Sequence, residues 1–151
     1  MPYIRGAARV DGCVFCLARD AGDDRASLVL VRGQHAFLIL NAFPYAPGHL
    51  MAVLNRHVGS FGDARPEELT AAMELAQRAV VALTAEYRAE AFNIGLNQGR
   101  VAGAGIVDHL HVHVVPRWSG DHNFMSVLGE VRVLPEDLTT TWERLRGRVH
   151  D

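Results

Sequence analysis

A chain of 151 residues that is 49% hydrophobic and 21% charged has the make-up of one globular domain, long enough to bury a core without disulfides or metal. Its formal net charge of −2 provides no basic field for nucleic acid, so any phosphate binding must be local. No apolar run reaches the length of a membrane span and the start MPYIRGAARVDGC lacks a signal-peptide core, so the expected location is the cytoplasm, with neither membrane nor nucleic acid as partner.

Residues 1–12 read as an N-terminal arm and 13–151 as the domain. Ser27 to Arg32 and Ala36 to Leu40 are β-rich runs around a Gly33-Gln34 turn. The segment NAFPYAPG, residues 41–48, is turn chemistry, and His49 to Leu54 follows as a third strand. Pro66-Glu67-Glu68 opens a helix with proline near its first position and acids in its first turn. Its apolar positions fall at Leu69, Met73, Ala76, Val80, Leu83 and Tyr87, a helical stripe read as core or dimer packing. Phe92 to Leu96 is a fourth strand, 97–105 (NQGRVAGAG) a glycine-rich loop, Leu110 to Val115 a fifth strand that Pro116 ends, and 136–148 a second, shorter helix. Short links between successive strands favour an antiparallel meander, hence an α+β domain.

The fifth strand carries the chemistry. Side chains alternate faces along a strand, so His109, His111 and His113 share one face, and Leu110, Val112 and Val114 share the core face. Histidines two apart lie about 6.5–7 Å apart, too far for bonds between neighbouring rings and suited to an extended ligand such as a polyphosphate. Three readings compete: a solvated polar face, a metal site, and phosphoryl chemistry in which an imidazole attacks phosphorus and splits one substitution into two. The glycine loop directly ahead favours the third, because backbone N–H groups around Asn97, Gly103 and Gly105 can cradle an anion. Cys13-Val14-Phe15-Cys16 also has three readings: a redox pair, two core thiols, or half of a zinc site completed by histidines elsewhere. Arg100 and Arg117 are candidate charges for a phosphate chain, and Trp118 for packing or closure over a base. Of the other histidines, His35 reads as an exposed turn residue, His122 as a loop residue near the site, and His150 as terminal.

The run His109-Leu110-His111-Val112-His113-Val114-Val115 resembles the His-φ-His-φ-His-φ-φ signature of the histidine triad (HIT) family. The resemblance extends in order through Cys13-x-x-Cys16, Asn41, Pro47-Gly48-His49, Arg56-His57 and Asn97-Gln98-Gly99. Pro116-Arg117-Trp118, Asn123-Phe124-Met125 and GLNQGRVAGAG make it most similar to the family's bacterial diadenosine tetraphosphate phosphorylases.

The resemblance implies a HIT-like α+β fold, an antiparallel five-stranded meander with one long helix and a short C-terminal helix, in a homodimer. It implies cleavage of dinucleoside polyphosphates through a nucleotidyl-histidine intermediate, with phosphorolysis of diadenosine tetraphosphate to ADP and ATP as the leading form. By the match, His111 is the nucleophile, His113 contacts phosphate oxygens, and His49 supports them from the neighbouring strand. Asn41 would hold the ribose, Phe15 and Ile39 the base, and Asn97 would border the phosphate loop. Cys13, Cys16, His57 and His109 would bind a structural zinc, changing His109 from hydrogen-bonding to anchoring the strand. No catalytic metal is required when histidine supplies the nucleophile, and an assisting magnesium is compatible with this. One departure stands out: where hydrolases of the family commonly carry Gln followed by Ser or Thr, this chain has Gly105 and Ile106. That departure leaves room for phosphate as acceptor. The rival expectations are hydrolysis of adenosine phosphoramidates or other mononucleotides, a binding protein with little activity, and a zinc enzyme using the three histidines as catalytic ligands.

Overall fold

The computed structural model describes residues 12–121 and 136–150. The arm expected at 1–12, save Gly12, lies outside the described residues, as do His122 and Asn123-Phe124-Met125. The chain runs α1 (Val14–Asp20), a short α2 (Asp24–Ser27), β1 (Val29–Arg32), β2 (Ala36–Leu40), β3 (Leu50–Leu54), a 3₁₀ turn (Phe61–Asp63), α3 (Pro66–Tyr87), β4 (Ala91–Gly95), β5 (His111–Arg117) and α4 (Leu138–Val149). All pairings are antiparallel, in the order β1-β2-β3-β5-β4. The α+β class and five-stranded sheet are those expected. The last two strands fold back, so β5 lies inside the sheet and β4 forms its edge. Among the described residues no helix is long and apolar enough to cross a membrane.

Two apolar clusters sandwich the sheet. On one face Leu38, Leu40, Leu50, Ala52, Leu110, Val112 and Val114 meet α3 and α4. On the other, Val29, Phe37, Ile39, Met51 and Val53 meet α1 through Val14, Phe15 and Ala18. The alternation along β5 therefore sends Leu110, Val112 and Val114 to the helices, and the histidines to the α1 face. The helix stripe needs correction. α3 buries Ala72, Leu75, Ala76, Ala79, Ala82 and Leu83, while Met73 is exposed. Alanines let the helix axis approach the sheet, so small residues outweigh larger ones in choosing the buried face.

Three further differences have local causes. Ser27 and Leu28 are not strand: Asp23 caps a helical turn through Ala26 N–H, and Leu28 takes a left-handed conformation at φ 67° before β1. Cys13 is followed by a helix that the sequence reading missed. Pro116 does not end β5, which pairs on to Arg117. The carbonyl of Arg117 accepts from Glu90 N–H, so the edges of residue 117 face β4 and those of residue 116 face the β3 side. Pairing with β3 stops at Val114, so the proline's missing donor breaks no ladder bond. The turn into β3 depends on Gly48, at φ +81°, where a Cβ would lie 2.6 Å from Leu83 Cδ2.

Candidate active site and metal cluster

His109, at the entry to β5, is 0% exposed, His111 is 6% exposed and His113 is half-buried, so the histidine row is not a solvated face. Buried imidazoles need partners, and the partners fix where each proton sits. A carbonyl can only accept. His111 Nδ1–H therefore donates to the backbone carbonyl of His109 over 2.8 Å, leaving Nε2 with its lone pair. His109 Nε2–H likewise donates to the Leu54 carbonyl over 2.6 Å, leaving Nδ1 unprotonated.

The third imidazole is fixed through a fourth. A backbone amide can only donate, so Tyr45 N–H donates to His49 Nδ1 over 3.2 Å. A neutral imidazole cannot accept at both nitrogens, so His49 carries its proton on Nε2 and donates it to His113 Nδ1 over 2.9 Å. His113 then holds its own proton on Nε2. Asn41 Nδ2 lies 3.5 Å from His49 Nε2, while its Oδ1 accepts from Phe43 N–H over 2.8 Å. Burial, reinforced by the neighbouring imidazoles, pushes His49 down to about 3 and His113 to about 4. Burial also lowers His111, against the opposing pull of the His109 carbonyl. The whole row is neutral near pH 7, with one lone pair at His111 and one N–H at His113. The His111 and His113 rings stand 4.9 Å apart, edge to face and closer than the strand spacing of about 6.5–7 Å, with no hydrogen bond between them.

A second cluster adjoins the row. Cys13, Cys16, His57 and His109 bring one ligand atom each to within 4.8 Å of one another, and the set can hold a metal ion. Cys13 Sγ is 3.4 Å and Cys16 Sγ 3.6 Å from His109 Nδ1, the nitrogen that the Leu54 carbonyl leaves unprotonated. Cys16 Sγ is also 3.4 Å from His57 Nδ1. Both cysteines are free of disulfides. Their helix α1 is clasped from outside. Arg32 donates to the carbonyls of Ala18, Arg19 and Ala21 at its C-terminal end, and Arg19 donates to the Asn55 carbonyl beside His57. Burial also drives His109 down to about 4.

The remaining candidates divide. Phe15 is 0% and Ile39 1% exposed, both in the apolar cluster under α1, and the Phe15 ring lies 4.8 Å from that of His111. Asn97 is exposed in the glycine loop. The N–H of Gly103 is committed to the Arg100 carbonyl, and that of Ala104 to Gly99, so the loop's turn uses part of its own amide set. A side chain at Gly105 would meet nothing within 4 Å, and Ile106 packs against the Phe15 cluster. Arg117 is held by Asp121 and Asn93, and Trp118 Nε1–H donates to the Tyr87 carbonyl over 3.0 Å, as packing. His35 is half-buried in its turn and His150 follows the end of α4.

Sequence reasoning missed the Leu54 carbonyl, the arginine clasp on α1, and Gly59. A Cβ on Gly59 would lie 2.9 Å from the Val107 carbonyl oxygen and 3.0 Å from Asp108 Cα. The strip 57–59 runs beside 108–110, with Leu110 N–H donating to the Val58 carbonyl. The glycine between two apolar segments was the available signal.

Comparison with known proteins bears on this arrangement. The HIT domain family profile matches residues 24–120. Over 118 residues the chain is 42% identical to the AP-4-A phosphorylase of Mycobacterium tuberculosis, across 78% of this chain and 60% of that protein. The chain thus spans less than two thirds of that relative's length. Among solved structures, a zinc-bound histidine triad family protein from Mycobacterium smegmatis matches with a TM-score of 0.74 at 28% identity, covering 92% of this chain and 94% of that one. The diadenosine triphosphate hydrolase of Plasmodium falciparum matches with a TM-score of 0.65 at 19% identity, covering 85% and 78%, a likeness of fold.

Proposed function

This chain belongs to the HIT domain family, and from that membership we propose that it cleaves dinucleoside polyphosphates through a nucleotidyl-histidine intermediate. The observation that carries the reading is the paired state of two imidazoles: a lone pair at His111 Nε2 beside an N–H at His113 Nε2. His111 Nε2 forms a bond to the α-phosphorus, the bridging P–O bond breaks, and the electron pair leaves on the departing nucleotide. The His113 N–H stabilises charge on that oxygen or on the phosphoryl oxygens. An oxygen of inorganic phosphate then attacks the same phosphorus and the P–N bond breaks. From diadenosine tetraphosphate the products are ATP and ADP.

Three observations support phosphate over water as acceptor. The relative at 42% identity is a phosphorylase. Gly105 leaves open space where a larger side chain would stand. Ile106 turns into the apolar cluster and offers no hydroxyl. Asn41 serves the ribose, and Phe15 and Ile39 form the apolar wall behind the base.

We also read the Cys13, Cys16, His57 and His109 cluster as a structural zinc site in a domain that spans 13–151. Zn–S bonds of about 2.3 Å and Zn–N bonds of about 2.0 Å at tetrahedral angles separate sulfur from nitrogen by about 3.5 Å. Three of the four sulfur–nitrogen separations are 3.4, 3.4 and 3.6 Å, and all four ligand atoms lie within 4.8 Å of one another. Two thiolates with two imidazoles suit zinc. Bound zinc would hold α1 to the strand entry, and it leaves His111 free. Free thiols suit the cytoplasm. The exposed edge strand β4, with Ile94 outward, supports a homodimer through that edge.

The test is product separation after incubation with diadenosine tetraphosphate, with and without inorganic phosphate. ADP plus ATP only with phosphate is expected. AMP plus ATP regardless of phosphate would make the protein a hydrolase. No turnover would shift the reading to phosphoramidates or to binding alone.

A further inference from the structure

Tyr45 is the most exposed aromatic side chain among the described residues at 70%, and it lies on the histidine face. Its ring sits 4.7 Å from that of His49 and 6.3 Å from that of His113, at 22° to the latter and so nearly parallel. An exposed aromatic is usually free to swing, but this one projects from a braced loop. Asn41 Oδ1 accepts from Phe43 N–H, Tyr45 N–H donates to His49, His49 N–H donates to the Ala46 carbonyl, and prolines stand at 44 and 47. The ring thus packs beside the histidine pair while most of the residue stays open to solvent.

The rings form a row. Phe15 lies 4.8 Å from His111, His111 4.9 Å from His113, His113 5.1 Å from His49, and His49 4.7 Å from Tyr45. A buried aromatic closes one end and an exposed one the other, with the polar imidazoles between them. That pattern complements a ligand with an aromatic ring at each end of a charged linker.

Resting on the reading above, we propose that Tyr45 is a stacking platform for the second base of a dinucleoside polyphosphate, the base that departs with the leaving group. Every nucleobase presents a π-face, so a phenol ring held in place adds affinity without selecting among bases. A substrate with a small leaving group gains nothing from it. Tyr45 thus selects for two-headed substrates at a site whose chemistry needs only one nucleotide.

The test uses the His111→Asn protein, in which turnover is expected to be lost and binding kept, and compares it with the same protein carrying Tyr45→Ala. Calorimetry with diadenosine tetraphosphate and with AMP should show about a tenfold loss for the first, a loss within the range of one stacked base, and less than about a twofold loss for AMP. Tyr45→Phe keeps the ring and should stay within about twofold of the parent for both. Unchanged AMP binding also reports that the loop still folds. An unchanged affinity for diadenosine tetraphosphate overturns the proposal. So does an equal loss for AMP, which would put the ring against the first nucleoside beside Asn41. A parent that binds diadenosine tetraphosphate no tighter than AMP also overturns it, because no second-base site then exists. These binding ratios do not depend on turnover, so failure of the catalytic reading shows separately, in the product assay.

Discussion

His111 donates its Nδ1–H to the backbone carbonyl of the residue that precedes it on the same face, His109, over 2.8 Å. His109 is itself held at both ends, by the Leu54 carbonyl at Nε2 and by the thiols of Cys13 and Cys16 near Nδ1. One residue thus links the metal-ligand cluster to the imidazole with the free lone pair. Through its ring it belongs to the cluster, and through its backbone it orients His111.

Replacing His111 by Asn removes that lone pair while keeping a side chain able to donate to the His109 carbonyl. Turnover of diadenosine tetraphosphate should fall on the order of a thousandfold or more, with AMP affinity retained. Steady-state kinetics beside calorimetry checks this, and substantial residual turnover would exclude His111 as nucleophile.

Loss of metal should be felt first as stability. A metal present at about a thousand times its Kd stabilises by about 4 kcal/mol, which for a chain of this size is about 10 °C in Tm. Chelation, or Cys13→Ser, should lower Tm by about that much, with elemental analysis reporting the lost ion. An unchanged Tm in a metal-free protein would remove the metal site.

Gly59→Ala places a methyl against the backbone of Val107 and Asp108, which cannot rotate aside. The strand entry must shift, at a cost of about 1–3 kcal/mol by urea denaturation. Because that entry leads straight into His109, kcat should fall together with stability. A variant that melts and turns over like the parent would show that the two strips are not rigidly apposed.

His49 provides a pH signature. An unfolded histidine titrates near about 6.5, and the folded one is pushed down to about 3 by burial and by His113 and His111. Between those values the native state binds fewer protons than the unfolded chain, so stability rises with pH. The contribution is therefore complete above about 6.5 and is lost as pH falls toward 3. Denaturation free energies measured from pH 7 to pH 4.5 should decline, and His49→Asn should decline less steeply. Parallel slopes would mean that His49 is not buried neutral.

Much of the molecule was legible in one dimension. The period of two in residues 109–114 determined which side chains face the helices and which face the site, because a strand has only two faces. The β2 limits and the start of α3 at Pro66 followed from local preference alone. Local pattern failed where a contact distant in sequence outweighed it. Alanines set the buried face of α3 because the sheet lies close beneath them. α1 forms where Arg32 reaches back to its carbonyls and its own Arg19 donates to the Asn55 carbonyl, and Pro116 stays inside β5 because β3 has already ended. The sequence by itself determined that three histidines share a face, that a glycine loop precedes them and that two thiols stand three residues apart. Only the tertiary structure decided which nitrogen of each histidine carries the proton. That choice is made by the carbonyls of Leu54 and His109 and the amide of Tyr45, and backbone groups bear no mark in the sequence of where folding will aim them.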